Sequence, residues 1–421
     1  MKMYPLTIAQ QNFLKREKII EDSSINNIAG LLKLGTKFNY EQINKAVNQL
    51  IFNHDSYRIQ VTFKSGNAKQ YIKAFEEIAY PYLDFYQDQL NFDTWINKKA
   101  NTNIFDYNDK LYRFYILKLP DGQLGLLAIQ NHLIGDGWSM PLSINYFITY
   151  LTNQDTTEIP KLSFVNAIED EVKYLQSKKL EKDEIYWREK LNRQKQQISD
   201  KPHQLEHVNG QRRTIKLSTV ITEKINEFCL KNEISVSNLF TSIMFALIDK
   251  KAVTKINNIG ISIHNRANKN EKFTTGNYAK SLPIIIESEQ DLLLNEYIQK
   301  VKRESFNILK HRKYPIDDLL SELNMGNNII DCLISFQTAS YSSEFIENGF
   351  SEKKLEVDAI GGPLEIQIFN KNSESGYLLH YDYQTEVLSA YEIEQLHDNI
   401  LKMLNELVID SERKLEENNI L

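Results

Sequence analysis

Apolar residues at Ile43, Ala46, Val47, Leu50 and Ile51 recur at spacings of three and four, which places them on one face of a helix. Asn39 precedes this stretch and Gln42 follows it by three, the signature of a capped N-terminus. A shorter helix is predicted over Thr7 to Ile19, behind Pro5, from Ile8, Phe13 and Leu14. Residues 21–32 are polar and Gly-containing at first and apolar only at their end, and predict a loop. Tyr57, Ile59, Val61 and Phe63 alternate with polar residues and predict a strand.

Asp121-Gly122 separates two apolar runs, Tyr112 to Leu119 and Leu124 to Gln130, and predicts a hairpin. The second run is nearly continuous, as in a central strand buried on both faces. Past it, Leu142, Ile144, Phe147 and Ile148 predict a helix that begins near Met140, with Pro141 in its first turn. The charge-rich stretch 168–195, interrupted by Tyr186 and Trp187, predicts one or two surface helices.

The second half predicts a strand near Thr214 to Leu217, helices over 221–229 and 235–248, and a strand at Ile259 to Ile263. A helix over 289–309 and a strand at Asp331 to Phe336 follow. Residues 338–354 read as a polar loop, 364–369 and 377–383 as a hairpin, and 393–407 as a last amphipathic helix. Strands and helices mix in both halves, so the fold class is α/β, an α+β sandwich. The polar stretch 195–213, with one Pro and one Gly, is the best linker, and the boundary falls between 175 and 210.

Length and composition narrow the function. A chain of 421 residues exceeds one ordinary core and predicts two domains. A net charge of −6 argues against nucleic acid as the main partner, because phosphate binding draws on Lys and Arg. Cys229 and Cys332 lie far apart in apolar runs and predict buried thiols, with no thiolate metal site. No apolar stretch is long enough for a membrane span, and the N-terminus lacks a signal-peptide pattern, so a cytoplasmic location is expected.

Among eight histidines, His132 stands out because it follows the buried strand and precedes Gly135-Asp136-Gly137. An imidazole titrates near neutrality and can take a proton from an amine or alcohol. Spacing alone reads equally well as a structural histidine in a turn. His132 and Asp136 are four apart, yet no third ligand lies near and the glycines argue against a continuous helix, so no metal is expected. Ser139 lacks a nucleophile-elbow setting. It is expected to cap the following helix or to donate a hydrogen bond in a cleft. Arg266 ends the run GISIHNR (260–266) and reads either as a solvated charge or as a partner reaching Asp136 across the two halves. Lys302, Arg303, Lys310, His311, Arg312 and Lys313 form a basic run, either a wet face or a landing patch for an acidic protein or a phosphate-bearing arm.

These segments together resemble the condensation domains of nonribosomal peptide synthetases, in the chloramphenicol acetyltransferase-like superfamily. PLTIAQQNF (5–13), FNHDSYRIQVTF (52–63), NHLIGDGWS (131–139), GISIHNR with TTGNYAKSLPI (274–284), HRKYPIDDLL (311–320) and DCLISFQT (331–338) match the family motifs in order. EDEVKYLQS (169–177) and Tyr186-Trp187 fit loosely.

The resemblance implies two acetyltransferase-like lobes, 1–178 and 179–421, in a V with a tunnel between them, and a crossover segment near 338–370. It implies amide-bond formation by transfer of an acyl or aminoacyl group from a carrier-protein thioester to an amine. Peptidyl or acyl carrier proteins would present the substrates on phosphopantetheine arms, with no cofactor held by the domain itself. The motif's catalytic histidine falls on His132, its aspartate on Asp136, paired with Arg266, and its glycine on Gly137. The backbone near Gly137 and the Ser139 hydroxyl are the expected oxyanion donors, and Trp138 and Gln337 are expected along the tunnel. The motif's first histidine is Asn131 here, a position that supports the loop. His132 points away from the heterocyclising subclass, whereas an epimerising domain shares the motif. The alternatives are a free-standing acyltransferase to a soluble amine, polyamine or alcohol, a piece of an assembly line, and an idle module that docks a carrier protein.

Overall fold

The computed structural model describes residues 2–20, 24–64, 67–103, 105–152, 162–194, 208–250, 252, 256–286, 292–325, 329–338, 340–370 and 376–409. Most of the expected linker, with His203 and His207, lies outside them. The chain divides into two compact units. The first holds Met1–Gln176, His264–Ala279 and Ala339–Ala359, and the second holds the remainder. The sequence placed a single cut at 178, with everything after it in the second lobe. Two later excursions join the first unit instead, for reasons visible in their contacts. Residues 264–279 are tied to Asp136 and Ser139 through Arg266 and Gly276. Residues 339–359 carry the strand Ser351–Lys354, which pairs antiparallel with Asn27–Gly35.

The first unit is built on a five-stranded sheet in the order Ser351–Lys354, Asn27–Gly35, Leu124–Asn131, Tyr112–Lys118, Tyr82–Asp84. All pairs are antiparallel except the last. The hairpin at Asp121-Gly122 forms as expected, with Gly122 at φ +82, where a side chain would be strained. The loop expected over 21–32 is corrected: Asn27–Gly35 is an interior strand with partners on both sides. Its run is apolar on both faces, which hides the alternation of a half-buried strand. Leu32, Phe114 and Leu126 pack under the helices Tyr40–Asn53 and Ser139–Leu151, while Leu31, Leu127 and Ile129 face the helix Gln89–Ala100. The polar loop expected over 338–354 contains the short helix Ser343–Glu347 and the strand Ser351–Lys354. That strand reads SEKK because a charged edge discourages further strand pairing. A smaller sheet joins Tyr4–Pro5, Asn67–Ile72 and Ile59–Lys64.

The second unit has a six-stranded mixed sheet in the order Lys280–Ile284, Ile259–Ile263, Cys332–Gln337, Leu364–Phe369, Leu378–Gln384, Gly210–Lys216. The expected hairpin of 364–369 with 378–384 forms. The apolar helix Val236–Asp249 and the final helix Ala390–Ile409 cover this sheet through one core that includes Leu239, Ile243, Ile334, Ile366 and Ile400. Trp187 and Leu191, from the charge-rich stretch, are fully buried in a second cluster with Leu282 and Leu319.

Candidate active site

The central strand Leu124–Asn131 ends where the chain must turn into the helix Ser139–Leu151, and residues 132–138 make that turn. Its backbone is anchored at each step. Asn131 N–H donates to Leu111 O at 2.9 Å and His132 N–H to Asn26 O at 2.8 Å. Leu133 N–H donates to the Asn131 side-chain oxygen at 2.9 Å. Leu133 O accepts from Gln10 Nε2 at 3.0 Å. The same Gln10 closes the capping box with Thr7 at the start of the helix Ile8–Ile19, so one residue fixes both that helix and the loop.

Asn131 supports the loop through its amide. Its Nδ2 donates to Glu17 Oε2 at 3.2 Å, and Asn26 Nδ2 donates to the same oxygen at 2.7 Å. Each side of the amide is used, and none of these bonds needs a charge on residue 131.

The His132 ring stacks on Phe13, with centroids 3.9 Å apart and planes 11° from parallel. Part of the residue stays accessible, yet its Nδ1 is buried without a hydrogen-bond partner. Burial first, then the Arg16 cation, push the imidazole down to about 4, against the opposing pull of Asp136. The ring is therefore neutral at neutral pH and able to accept a proton. No carboxylate hydrogen-bonds its Nδ1, so the arrangement is not a Ser-His-Asp triad.

Asp136 and Arg266 form a buried bidentate pair at 2.8 and 3.1 Å, with side-chain exposures of 1% and 0%. Burial alone would raise the Asp136 carboxyl. The Arg266 guanidinium and the N–H groups of Tyr278 and Ser139 outweigh it and hold the group below the usual carboxylate range. Arg266 also donates to His264 O, Glu271 O, Thr274 O, Gly276 O and Ser139 Oγ, and stacks over Tyr278 at 4.2 Å. It is no solvated surface charge. Because 264–279 belongs to the first unit, the pair lies within that unit and does not link the two halves of the chain as the sequence suggested.

Ser139 requires a correction. It is the first residue of its helix rather than the cap, and its N–H is capped by Asp136 Oδ1 at 2.8 Å. Its hydroxyl donates to Gly276 O at 2.7 Å and accepts from Gly276 N–H and Arg266 Nη2. That single proton is committed, so Ser139 has none to offer an oxyanion and belongs with the supporting residues. Gly276 sits at φ +141, and a Cβ there would lie 2.2 Å from the Phe164 ring.

Neither Gly135 nor Gly137 has a positive φ. Gly135 is needed for space: a Cβ there would lie 2.4 Å from Gln130 Nε2. Gly137 is exposed, which leaves its backbone open to approach. Trp138 donates from Nε1 to Lys272 O at 2.9 Å and leans on His264. Gln337 ends a strand of the second unit and donates to Ser335 Oγ at 2.6 Å. In the basic run, His311 Nδ1 meets the buried Asp183 at 2.7 Å and the ring stacks on Tyr186, which makes it a structural residue of the second unit. Phe13, Gln10, Glu17 and Asn26 were not singled out by the sequence. The motif PLTIAQQNF held the signal for the first two.

Among the described residues no group of His, Cys, Asp and Glu is arranged to hold a metal ion, and no helix is long and apolar enough to cross a membrane.

A model of the condensation domain matches residues 1–421, and the chain belongs to that family. It is 25% identical over 423 residues to a plipastatin synthase of Bacillus subtilis (strain 168), covering 95% of this chain and 16% of that protein. It is 22% identical to surfactin synthase subunit 1 of the same organism, covering 98% of this chain and 12% of that protein. The chain thus spans under a fifth of the length of these relatives. Among solved structures, the first condensation domain of the calcium-dependent antibiotic synthetase, in complex with a substrate analogue, superposes with a TM-score of 0.82 at 14% identity over 100% of both chains. The starter condensation domain of rhizomide synthetase superposes at 0.79 with 16% identity, again over 100% of both. The fold is the chloramphenicol acetyltransferase-like fold of condensation domains.

Proposed function

We propose that this chain forms amide bonds by moving an acyl or aminoacyl group from a carrier-protein thioester to an amine, with His132 as the catalytic base. The observation that carries this reading is a neutral, ring-stacked imidazole at the head of a loop held by buried bonds. The amine nitrogen attacks the thioester carbonyl, forming the C–N bond and an oxyanion. Its proton passes to Nε2 of His132, the ring nitrogen left free by the burial of Nδ1. Collapse breaks the C–S bond, and the proton returns to the departing thiolate. The Gly137 backbone is the oxyanion donor in this scheme, since the Ser139 hydroxyl is occupied. Holding both reactants on phosphopantetheine arms supplies much of the acceleration.

Asn131 does not favour the idle-module reading, because its amide does the loop-supporting work. Mass spectrometry of the purified chain with an acyl-loaded carrier protein and a series of amines tests the proposal. Amide product is expected with a carrier-bound acceptor. Product with free amines alone would move the assignment to a soluble acceptor, and carrier binding without product across the series would make the chain a docking module.

A second expectation follows from the lowered imidazole. Protonated His132 cannot accept a proton, so activity is lost only as pH falls through its own pKa. With an acceptor amine of low pKa, the acidic limb of kcat/KM is expected at about 4. An acidic limb near the ordinary imidazole value of ~6.5 would contradict the burial argument.

A further inference from the structure

The first unit contains an apolar cleft of about 460 Å³ of empty space beneath the helix that follows the His132 loop. Its roof is a helical stripe, Met140, Ser143, Ile144 and Phe147, at spacings of three and four. Its floor is the sheet face carrying Leu32, Leu126 and Phe114. In the middle of that floor Gly30 and Ala128 are direct cross-strand partners. Ala128 remains partly exposed although its strand is paired on both sides. Two of the smallest residues side by side leave volume that a close-packed core would fill, and unfilled volume costs stability. A cleft of this size is in the range of small-molecule sites.

We propose that this cleft takes the hydrocarbon tail of an uncharged, unbranched acyl donor, and that Gly30 and Ala128 set how long that tail can be. The inference rests on the acyl-transfer reading and names its donor class. Three observations place the tail there. The lining is almost wholly hydrocarbon. Its only charged group, Glu352, accepts a hydrogen bond from Tyr341 and stands on the edge strand, where it disfavours a tail ending in a carboxylate. The cleft shares a wall with the His132 loop: Gln130 lines it two residues before His132, and its amide lies directly against Gly135. Gly30 has no positive φ, and a Cβ there would meet its neighbours at 3.4 Å or more, so a larger residue enters the cleft rather than the backbone.

The test compares acetyl, butyryl, octanoyl and dodecanoyl N-acetylcysteamine thioesters with an aminoacyl thioester, for the parent, Gly30→Val and Ala128→Leu. The parent is expected to favour octanoyl over acetyl by about 10-fold or more in kcat/KM, and each variant to lower that ratio by about 10-fold. An unchanged ratio in folded variants, or a parent that prefers acetyl or aminoacyl donors, overturns the proposal. A binding measurement separates it from the acyl-transfer reading. Octanoyl-CoA, but not CoA, is expected to raise the melting midpoint of the parent and of His132→Ala. That shift without any transfer would sink the acyl-transfer reading and leave the cleft assigned. Aminoacyl transfer with equal effects of octanoyl-CoA and CoA would do the reverse, and that arm decides even where both cleft variants fail to fold.

Discussion

Replacing His132 by alanine is expected to lower single-turnover amide formation by about 10²- to 10⁴-fold, the usual contribution of a positioned general base. The fold should survive. Nδ1 makes no hydrogen bond, so its removal strands no partner. The loop is held by the His132 backbone and its neighbours, which alanine leaves intact. The loss is the stacking on Phe13, worth about 0.5–1.5 kcal/mol. Turnover and melting midpoint measured on the same sample distinguish this from unfolding. A rate equal to the parent's would remove His132 from the chemistry and leave the fold assignment standing.

The hairpin, the central strand and the helix after it were legible because each has a local signal: Asp-Gly at the turn, a continuous apolar run, and a helical spacing. The strand Asn27–Gly35 was not. It starts in a polar context and carries Gly30, which as a local signal breaks structure and in the fold opens a cleft. Ser351–Lys354 was equally opaque, because an edge strand without apolar residues looks like a loop until its partner is known. In the site, composition alone left Arg266 between solvent and Asp136, and only the family resemblance chose. Gln10 and Leu133 are 123 residues apart, as Glu17 and Asn131 are 114 apart. No periodicity connects such pairs. The same limit explains Ser139, whose setting as a helix start suggested a cap, while its hydroxyl is taken by Gly276, 137 residues away.

Asp136→Ala should damage stability rather than catalysis alone. The carboxylate holds both prongs of Arg266 and accepts from Ser139 N–H and Tyr278 N–H. Removing it leaves a guanidinium buried without its counter-charge, at a cost of about 3–5 kcal/mol. Asp136→Asn keeps some hydrogen bonds and should fall between the variant and the parent. The pH dependence has a definite sign. The folded-state carboxyl lies below its ordinary value, so its stabilisation is fully present above the unfolded pKa of ~3.9 and is lost as pH falls through the folded pKa. Urea titrations of parent and variants at neutral and acid pH, followed by tryptophan fluorescence, provide the check, since Trp138 lies on the same loop. The gap between parent and Asp136→Ala should be widest at neutral pH and narrow in acid. Equal urea midpoints at neutral pH would mean that the pair contributes nothing to holding the loop, and the positioning of His132 would need another cause.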